Sequence, residues 1–293
     1  MRWVEISIEA TDASVDAVVD ILTDAGSGGA VIGSSPGTAS CNPARVTSYL
    51  PVDDRLETRL NSIRDRIALL PSLGLNLRSE EISVVWLEDQ DWATVWKQHF
   101  KPVRAGRVIV KPTWEECDAG ENDIVVEIDP GMAFGTGYHP TTQLCLLALQ
   151  DYVKVGDVVL DMGTGSAVLA ITSARLGAKK VVALDIDSVA VEVATDNIKQ
   201  AQLNDIVEIG RADSPLAFDG KADLIVANII AKALIEMAPE LAARMKANGL
   251  LIASGIVLER ADSVRIAFRE AGINVFEERI DGDWVAMIGR LEG

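Results

Sequence analysis

Hydrophobic positions near the start of the chain alternate with polar ones. Trp3-Val4-Glu5-Ile6-Ser7-Ile8 has the period of two of a half-buried strand. Ser14 to Ala25 then carries helical spacing, with Gly26 just past it to stop the helix. Ala30 to Ile32 and Val46 to Pro51 read as strands on either side of a Gly/Ser/Pro/Asn-rich loop, Ser34 to Pro43. Asp53 to Leu70 sets Leu56, Leu60, Ile63, Ile67 and Leu70 on one stripe with charges opposite, which predicts a helix. Ile82 to Leu87 closes the set as a strand. The order β-α-β-β-α-β is that of a small ferredoxin-like α+β domain over residues 1–86. No catalytic constellation lies in it, so its expected role is binding.

Aromatic residues concentrate in the next stretch. Trp92, Trp96 and Phe100 fall at i, i+4 and i+8 and share one helix face, with Trp114 beyond them. Residues 87–106 therefore read as a linker helix. Its aromatic face is either a plug docking the linker onto a domain or a wall beside an active site. From about Arg107 strands alternate with helices. Strands are expected near 107–112, 123–128, 157–162, 180–185, 206–210, 222–227, 249–254, 273–279 and 283–290. Helices are expected near 140–152, 166–176, 188–202, 230–247 and 258–271. This makes 107–293 a doubly wound α/β sheet. Only Asp281-Gly282-Asp283 separates the last two strands, so the sheet ends in an antiparallel hairpin, common in class I methyltransferases and rare in dehydrogenases.

Composition narrows the function classes. At 293 residues two domains are the better expectation. No apolar stretch reaches transmembrane length, and the opening MRWVEISIEA carries acid where a signal peptide would be apolar, so a cytoplasmic protein with no membrane partner is expected. Cys41, Cys117 and Cys145 are scattered and the only histidines are His99 and His139, which argues against a metal site. With 44 acidic against 27 basic residues the net charge is −17, a surface that repels phosphate backbones. Direct binding of DNA is not expected. The charge either attracts a basic partner or keeps the protein soluble.

The most informative segment is Val158 to Ala170, VVLDMGTGSAVLA, followed by VVALDID at 181–187. A buried strand ends in an acid, a glycine-rich turn follows, a helix begins, and the next strand closes on Asp185. A second-strand acid can accept both hydroxyls of a ribose, and the glycines let a nucleoside-bearing cofactor lie against the backbone. The third glycine of a dinucleotide fingerprint is absent, because Val168 stands there. Asp161, two residues before Gly163, would repel a pyrophosphate but attract the α-ammonium of a methionine moiety. S-adenosyl-L-methionine is thus favoured over NAD. Asp161, Gly163, Thr164 and Gly165 are expected on its methionine side and Asp185 on its ribose. Asp213 is expected near its adenine, although a helix N-cap explains that residue equally well.

Asn228 ends the strand Asp223 to Asn228, where its amide can hold the reacting group. It is followed by Ile229 and Ile230 rather than by the Pro-Pro-aromatic sequence that stacks planar amino groups, so a tetrahedral amine fits best. The loop DPGMAFGTGYHPTT, Asp129 to Thr142, is placed to cover the cofactor. Pro140 suits a first helical turn and Thr142 or Thr141 can offer a hydroxyl to the methionine end. His139 is a candidate general base, with anchoring of the loop as its alternative role. Asn228 and His139 are the candidate catalytic residues.

That loop, ahead of VVLDMGTGSAVLA, LDID and VANII, resembles the bacterial ribosomal protein L11 methyltransferase family over nearly the whole chain. The resemblance implies N-methylation of lysine side chains and the N-terminal α-amino group of a basic ribosomal protein of the large-subunit stalk base. It also implies a ferredoxin-like recognition domain on a flexible linker, and cofactor contacts at Thr142, Gly163, Asp185 and Asn228. A monomer is expected. The sequence departs from the family where Gly165-Ser166-Ala167 replaces Gly-Ser-Gly, a change expected to matter little unless φ there is positive. Tyr138 also stands where a small polar residue is frequent. The rival readings are a methyltransferase for another protein lysine or small-molecule amine, and a nucleotide-binding module without turnover.

Overall fold

The computed structural model describes residues 3–11, 14–27, 30–34, 44–52, 56–73, 75–79, 82–87, 100–129 and 135–292. The expected linker aromatics Trp92 and Trp96, and residues 130–134 of the glycine-rich loop, lie outside them. The chain divides into two units, residues 1–100 and 101–293.

The first unit is built on β1 (Trp3–Ala10), α1 (Val15–Asp24), β2 (Ala30–Ser34), β3 (Ala44–Pro51), α2 (Leu56–Leu69) and β4 (Ser83–Leu87). Its four-stranded antiparallel sheet has the order β2-β3-β1-β4. The alternation in β1 is realised directly: Val4, Ile6, Ile8 and Ala10 are fully buried. The α2 stripe meets them through Leu56, Ile63 and Ile67, with Leu60 partly buried. Each such side chain contributes roughly 1.5–3 kcal/mol by leaving water. Gly26, at φ +87°, ends α1 by letting the chain turn back, its N–H meeting Thr23 O at 2.9 Å.

The second unit opens with β5 (Val103–Ala105), β6 (Val108–Lys111) and β7 (Ile124–Glu127), which form a separate three-stranded sheet. The strands expected near 107–112 and 123–128 thus exist but do not join the large sheet. Their apolar residues mark a strand without naming its neighbour. Val108, Val110, Val126 and Ile128 pack instead with Leu146 and Leu149. Residues 103–105, expected within the linker, pair antiparallel with β6.

The large sheet has seven strands in the order β10-β9-β8-β11-β12-β14-β13, with β8 (Val158–Met162), β9 (Lys180–Asp185), β10 (Val207–Arg211), β11 (Ala222–Asn228), β12 (Met245–Val257), β13 (Ile273–Asp281) and β14 (Trp284–Leu291). Neighbours from β10 to β12 are parallel, and β14 runs antiparallel to both β12 and β13. The helices are α3 (Pro140–Tyr152), α4 (Val168–Arg175), α5 (Ser188–Gln200), α6 (Ala231–Arg244) and α7 (Ala261–Glu270). Successive strand residues point to opposite faces, and both faces are covered. Val159, Val181, Ala183, Val226 and Ile252 meet the helices α3 to α5. Leu160, Val182, Leu184, Ile225 and Leu251 meet α6 and α7. Strand order reverses at β8, so a crevice opens beyond the carboxyl ends of β8 and β11. Among the described residues, no helix is long and apolar enough to cross a membrane.

Phe268, 1 % exposed, anchors α7 beneath the sheet, whereas Phe276 on β13 is 47 % exposed. Phe268→Ala is expected to cost about 3–5 kcal/mol in urea unfolding and Phe276→Ala under about 1 kcal/mol. Equal costs would contradict this placement of the core.

Candidate functional site

The crevice is organised by the turn between β8 and α4. The N–H groups of Gly163 and Thr164 both donate to Leu184 O on β9, at 2.8 and 3.0 Å. Gly163 has φ +75°, and a Cβ there would stand 2.3 Å from Ile229 Cγ2, so only glycine fits. Gly165 donates its N–H to Asp185 Oδ2 at 2.9 Å, and Asp187 N–H reaches Asp185 Oδ1 at 3.0 Å. Asp185 closes β9 nearly buried, its oxygens spread over the mouth of the turn.

Ala167 is the N-cap of α4 and sits at φ +67° with its side chain fully buried. The substitution of alanine for glycine in the turn therefore falls where φ is positive. A left-handed alanine costs roughly 1–2 kcal/mol, which the closure of this turn must carry. Ser166 before it is buried. Its hydroxyl donates to Gly135 O at 2.7 Å, and its carbonyl accepts from Asn197 Nδ2 at 2.9 Å. A Cβ on Gly135, at φ +110°, would lie 2.6 Å from Ser166 Oγ. These contacts seat the end of the glycine-rich loop directly on the turn.

Asp161, next to last in β8, is fully buried. Its Oδ2 accepts from Thr164 Oγ1 at 2.7 Å, while Oδ1 has no hydrogen-bond partner among the described residues. Burial raises its carboxyl to about 7. The Thr164 hydroxyl opposes that rise, the charge of Asp185 adds to it, and the N–H of Ala170 in α4 opposes it. Cys145 of α3 faces the same acid, and burial pushes its thiol well up.

α3 brings the rest. His139 caps it, its Nδ1 accepting from Thr141 N–H at 3.3 Å and lying 2.7 Å from Thr141 Oγ1. The imidazole packs edge-on against Trp284, ring centroids 4.8 Å apart, and burial lowers its pKa. Thr142 is buried, and Asn228 Nδ2 donates to its hydroxyl at 3.2 Å. Because Ala227 pairs with Met162, Asn228 stands beside Gly163 across the crevice.

Hydrogen bonds and strand register thus bring together Thr142, Asp161, Gly163, Thr164, Gly165, Asp185 and Asn228. Asp213 is exposed just past β10, held near β9 by Ala212 N–H on Asp185 O at 2.8 Å. The cap that could have explained it belongs to Ser214, whose Oγ takes Leu216 N–H at 3.0 Å. Sequence reasoning missed Ser166, and it missed Ile186, 63 % exposed directly after Asp185. An apolar residue directly after a strand-closing acid was the available signal. Among the described residues, no group of three or more His, Cys, Asp and Glu could hold a metal ion.

These residues fit a ligand with a cationic group at Asp161 and a diol at Asp185: one buried carboxylate oxygen lacks a partner among the described residues, and the other carboxylate is pre-oriented by two N–H donors.

Comparison with known proteins adds the family. The family model described as Ribosomal protein L11 methyltransferase (PrmA) matches residues 2–292. The chain is 38 % identical to the Ribosomal protein L11 methyltransferase of Alkaliphilus oremlandii, over 100 % of both chains. It is 41 % identical to that of Pelotomaculum thermopropionicum, again over 100 % of both. Among solved structures, the ribosomal protein L11 methylase of Lactobacillus delbrueckii subsp. bulgaricus superposes with a TM-score of 0.61 at 30 % identity, covering 66 % of this chain and 100 % of that one.

Relief of strain at Ala167 offsets the lost methyl and the added chain entropy of glycine. Ala167→Gly is therefore expected to shift stability by less than about 1 kcal/mol in thermal unfolding. Ala167→Val, branched at positive φ and fully enclosed, is expected to lose about 2 kcal/mol or more.

Proposed function

Because the chain belongs to the ribosomal protein L11 methyltransferase family, we propose that it uses S-adenosyl-L-methionine to methylate amino groups of ribosomal protein L11. The targets in this reading are lysine side chains and the N-terminal α-amino group. The observation that carries the reading is the pair of acids flanking the glycine turn, one with a buried oxygen that has no partner among the described residues and one with both oxygens pre-oriented.

S-adenosyl-L-methionine supplies a methyl group activated on a sulfonium. Asp161 and Thr164 hold its α-ammonium end, and Thr142 and Gly163 bound the methionine part. Asp185 takes the ribose hydroxyls, and Asp213 and the exposed Ile186 flank the base. Asn228 fixes the acceptor in this reading: its amide nitrogen is held by Thr142, and its oxygen is the group that accepts from the incoming amine. The amine must be neutral to attack in line, and protein amines are mostly protonated near neutral pH. Desolvation in a closed crevice and a carbonyl acceptor shift that balance without a strong base. His139 serves here by capping α3, its ring set on Thr141 and Trp284 while its carbonyl accepts Thr142 N–H.

Residues 1–86 form the substrate-recognition domain in this reading, the segment from 87 to the start of the second unit the linker, and the second unit, residues 101–293, the catalytic domain. The net charge of −17 favours approach of a basic ribosomal protein. In this reading the enzyme works as a monomer in the cytoplasm, where its ribosomal substrate is found.

The test is the intact mass of L11 after incubation with the protein and S-adenosyl-L-methionine. Added mass in whole methylene units, with the modified residues mapped to lysines and the N-terminus, is expected. Cofactor binding without added mass would reject this substrate. Asp185→Asn, which keeps an acceptor for the turn, is expected to weaken cofactor binding at least tenfold (about 1.4 kcal/mol) while the protein stays folded. Unchanged affinity in the folded variant would remove Asp185 from the ribose site.

A further inference from the structure

We propose that Asp161 carries a proton until the cofactor arrives and gives it up to solvent as the α-ammonium takes its place beside Oδ1. The inference deepens the S-adenosyl-L-methionine reading above and rests on it.

The argument starts from the groups that surround the acid. Its own turn offers the Thr164 hydroxyl, on Oδ2. α4 offers the N–H of Ala170, β9 the second carboxylate, Asp185, and α3 the thiol of Cys145, which in turn meets the buried Ser254 of β12. Among the described residues no basic side chain joins them. Two carboxylates and a thiol therefore converge with only neutral donors to balance them. Asp185 is the better solvated of the two acids by the protein itself, with two backbone N–H groups on its oxygens. Asp161 is fully enclosed, and its Oδ1 has no hydrogen-bond partner among the described residues. An ionised carboxyl with a bare buried oxygen is far costlier than a neutral one, so the proton resides on Asp161. Burial raises that carboxyl to about 7, which puts the exchange within the physiological range.

The step balances simply. The carboxyl O–H bond breaks, the proton passes to buffer, and the carboxylate left behind is neutralised by the ammonium of the ligand. Linkage then fixes the direction of the pH effect. The folded-state pKa is raised, so the protonated form dominates on the acid side and competes with the ammonium. Affinity must rise with pH until the carboxyl is already ionised, by up to tenfold per pH unit.

Titration calorimetry of the full chain with two probes tests this. S-adenosylhomocysteine keeps the α-ammonium, and methylthioadenosine lacks the whole amino-acid arm. Each is titrated near pH 6 in two buffers of different ionisation enthalpy, and again over a range of pH. The expected result is release of close to one proton per S-adenosylhomocysteine bound and of none with methylthioadenosine. The affinity of the first probe should rise roughly ten- to thirtyfold between about pH 5.5 and about pH 7.5, and that of the second stay level. Asp161→Asn should abolish both the proton release and the rise. Binding of S-adenosylhomocysteine without proton release, or an identical pH profile for the two probes, overturns the inference and leaves the cofactor reading intact. Failure of both probes to bind at any pH overturns the cofactor reading and this inference with it.

Discussion

Val159, Val181 and Val226 are sealed on one face of the seven-stranded sheet and Leu160, Val182 and Ile225 on the other, and this double burial constrains everything else in the second unit. A parallel sheet covered on both sides leaves no room for an ion in its middle. Polar chemistry is driven to the strand ends, where backbone groups lose their ladder partners. At the carboxyl ends of β8 and β9 those groups are gathered by one atom, Leu184 O, which takes two N–H groups of the glycine turn. The turn, the placement of both acids and the start of α4 all depend on that closure.

The element pattern of the second unit was largely readable because each run of apolar residues has a length and a boundary. Val158 to Met162 stops at a glycine, α3 starts at Pro140 behind a capping side chain, and the final hairpin needs only Asp281 to Asp283 to turn. Strand partnership was not readable. β6 and β7 have the composition of sheet strands, yet they form a small sheet against α3 and α4, because pairing depends on surfaces assembled from distant residues.

The same division holds in the site. Asp161, Gly163 and Asp185 were visible because their spacing to the strand ends is dictated by the turn they make. Asn228 was visible because it terminates a strand at the switch point. Ser166 and the left-handed Ala167 were not, since neither is the residue type that announces its conformation. Alanine at φ +67° is tolerated because neighbours over-determine it: Ser166 is held from both sides, and Ala167 N–H still closes on Thr164 O at 2.9 Å.

Beneath Asp161 lies the thiol of Cys145, wholly enclosed and held far from its thiolate form. A thiol in that state is inert to alkylating reagents as long as α3 stays on the sheet. Its reactivity therefore measures how readily α3 opens rather than a static exposure. Any event that lifts the floor of the crevice registers as chemistry at one sulfur atom, which gives the breathing of this domain a clock of its own.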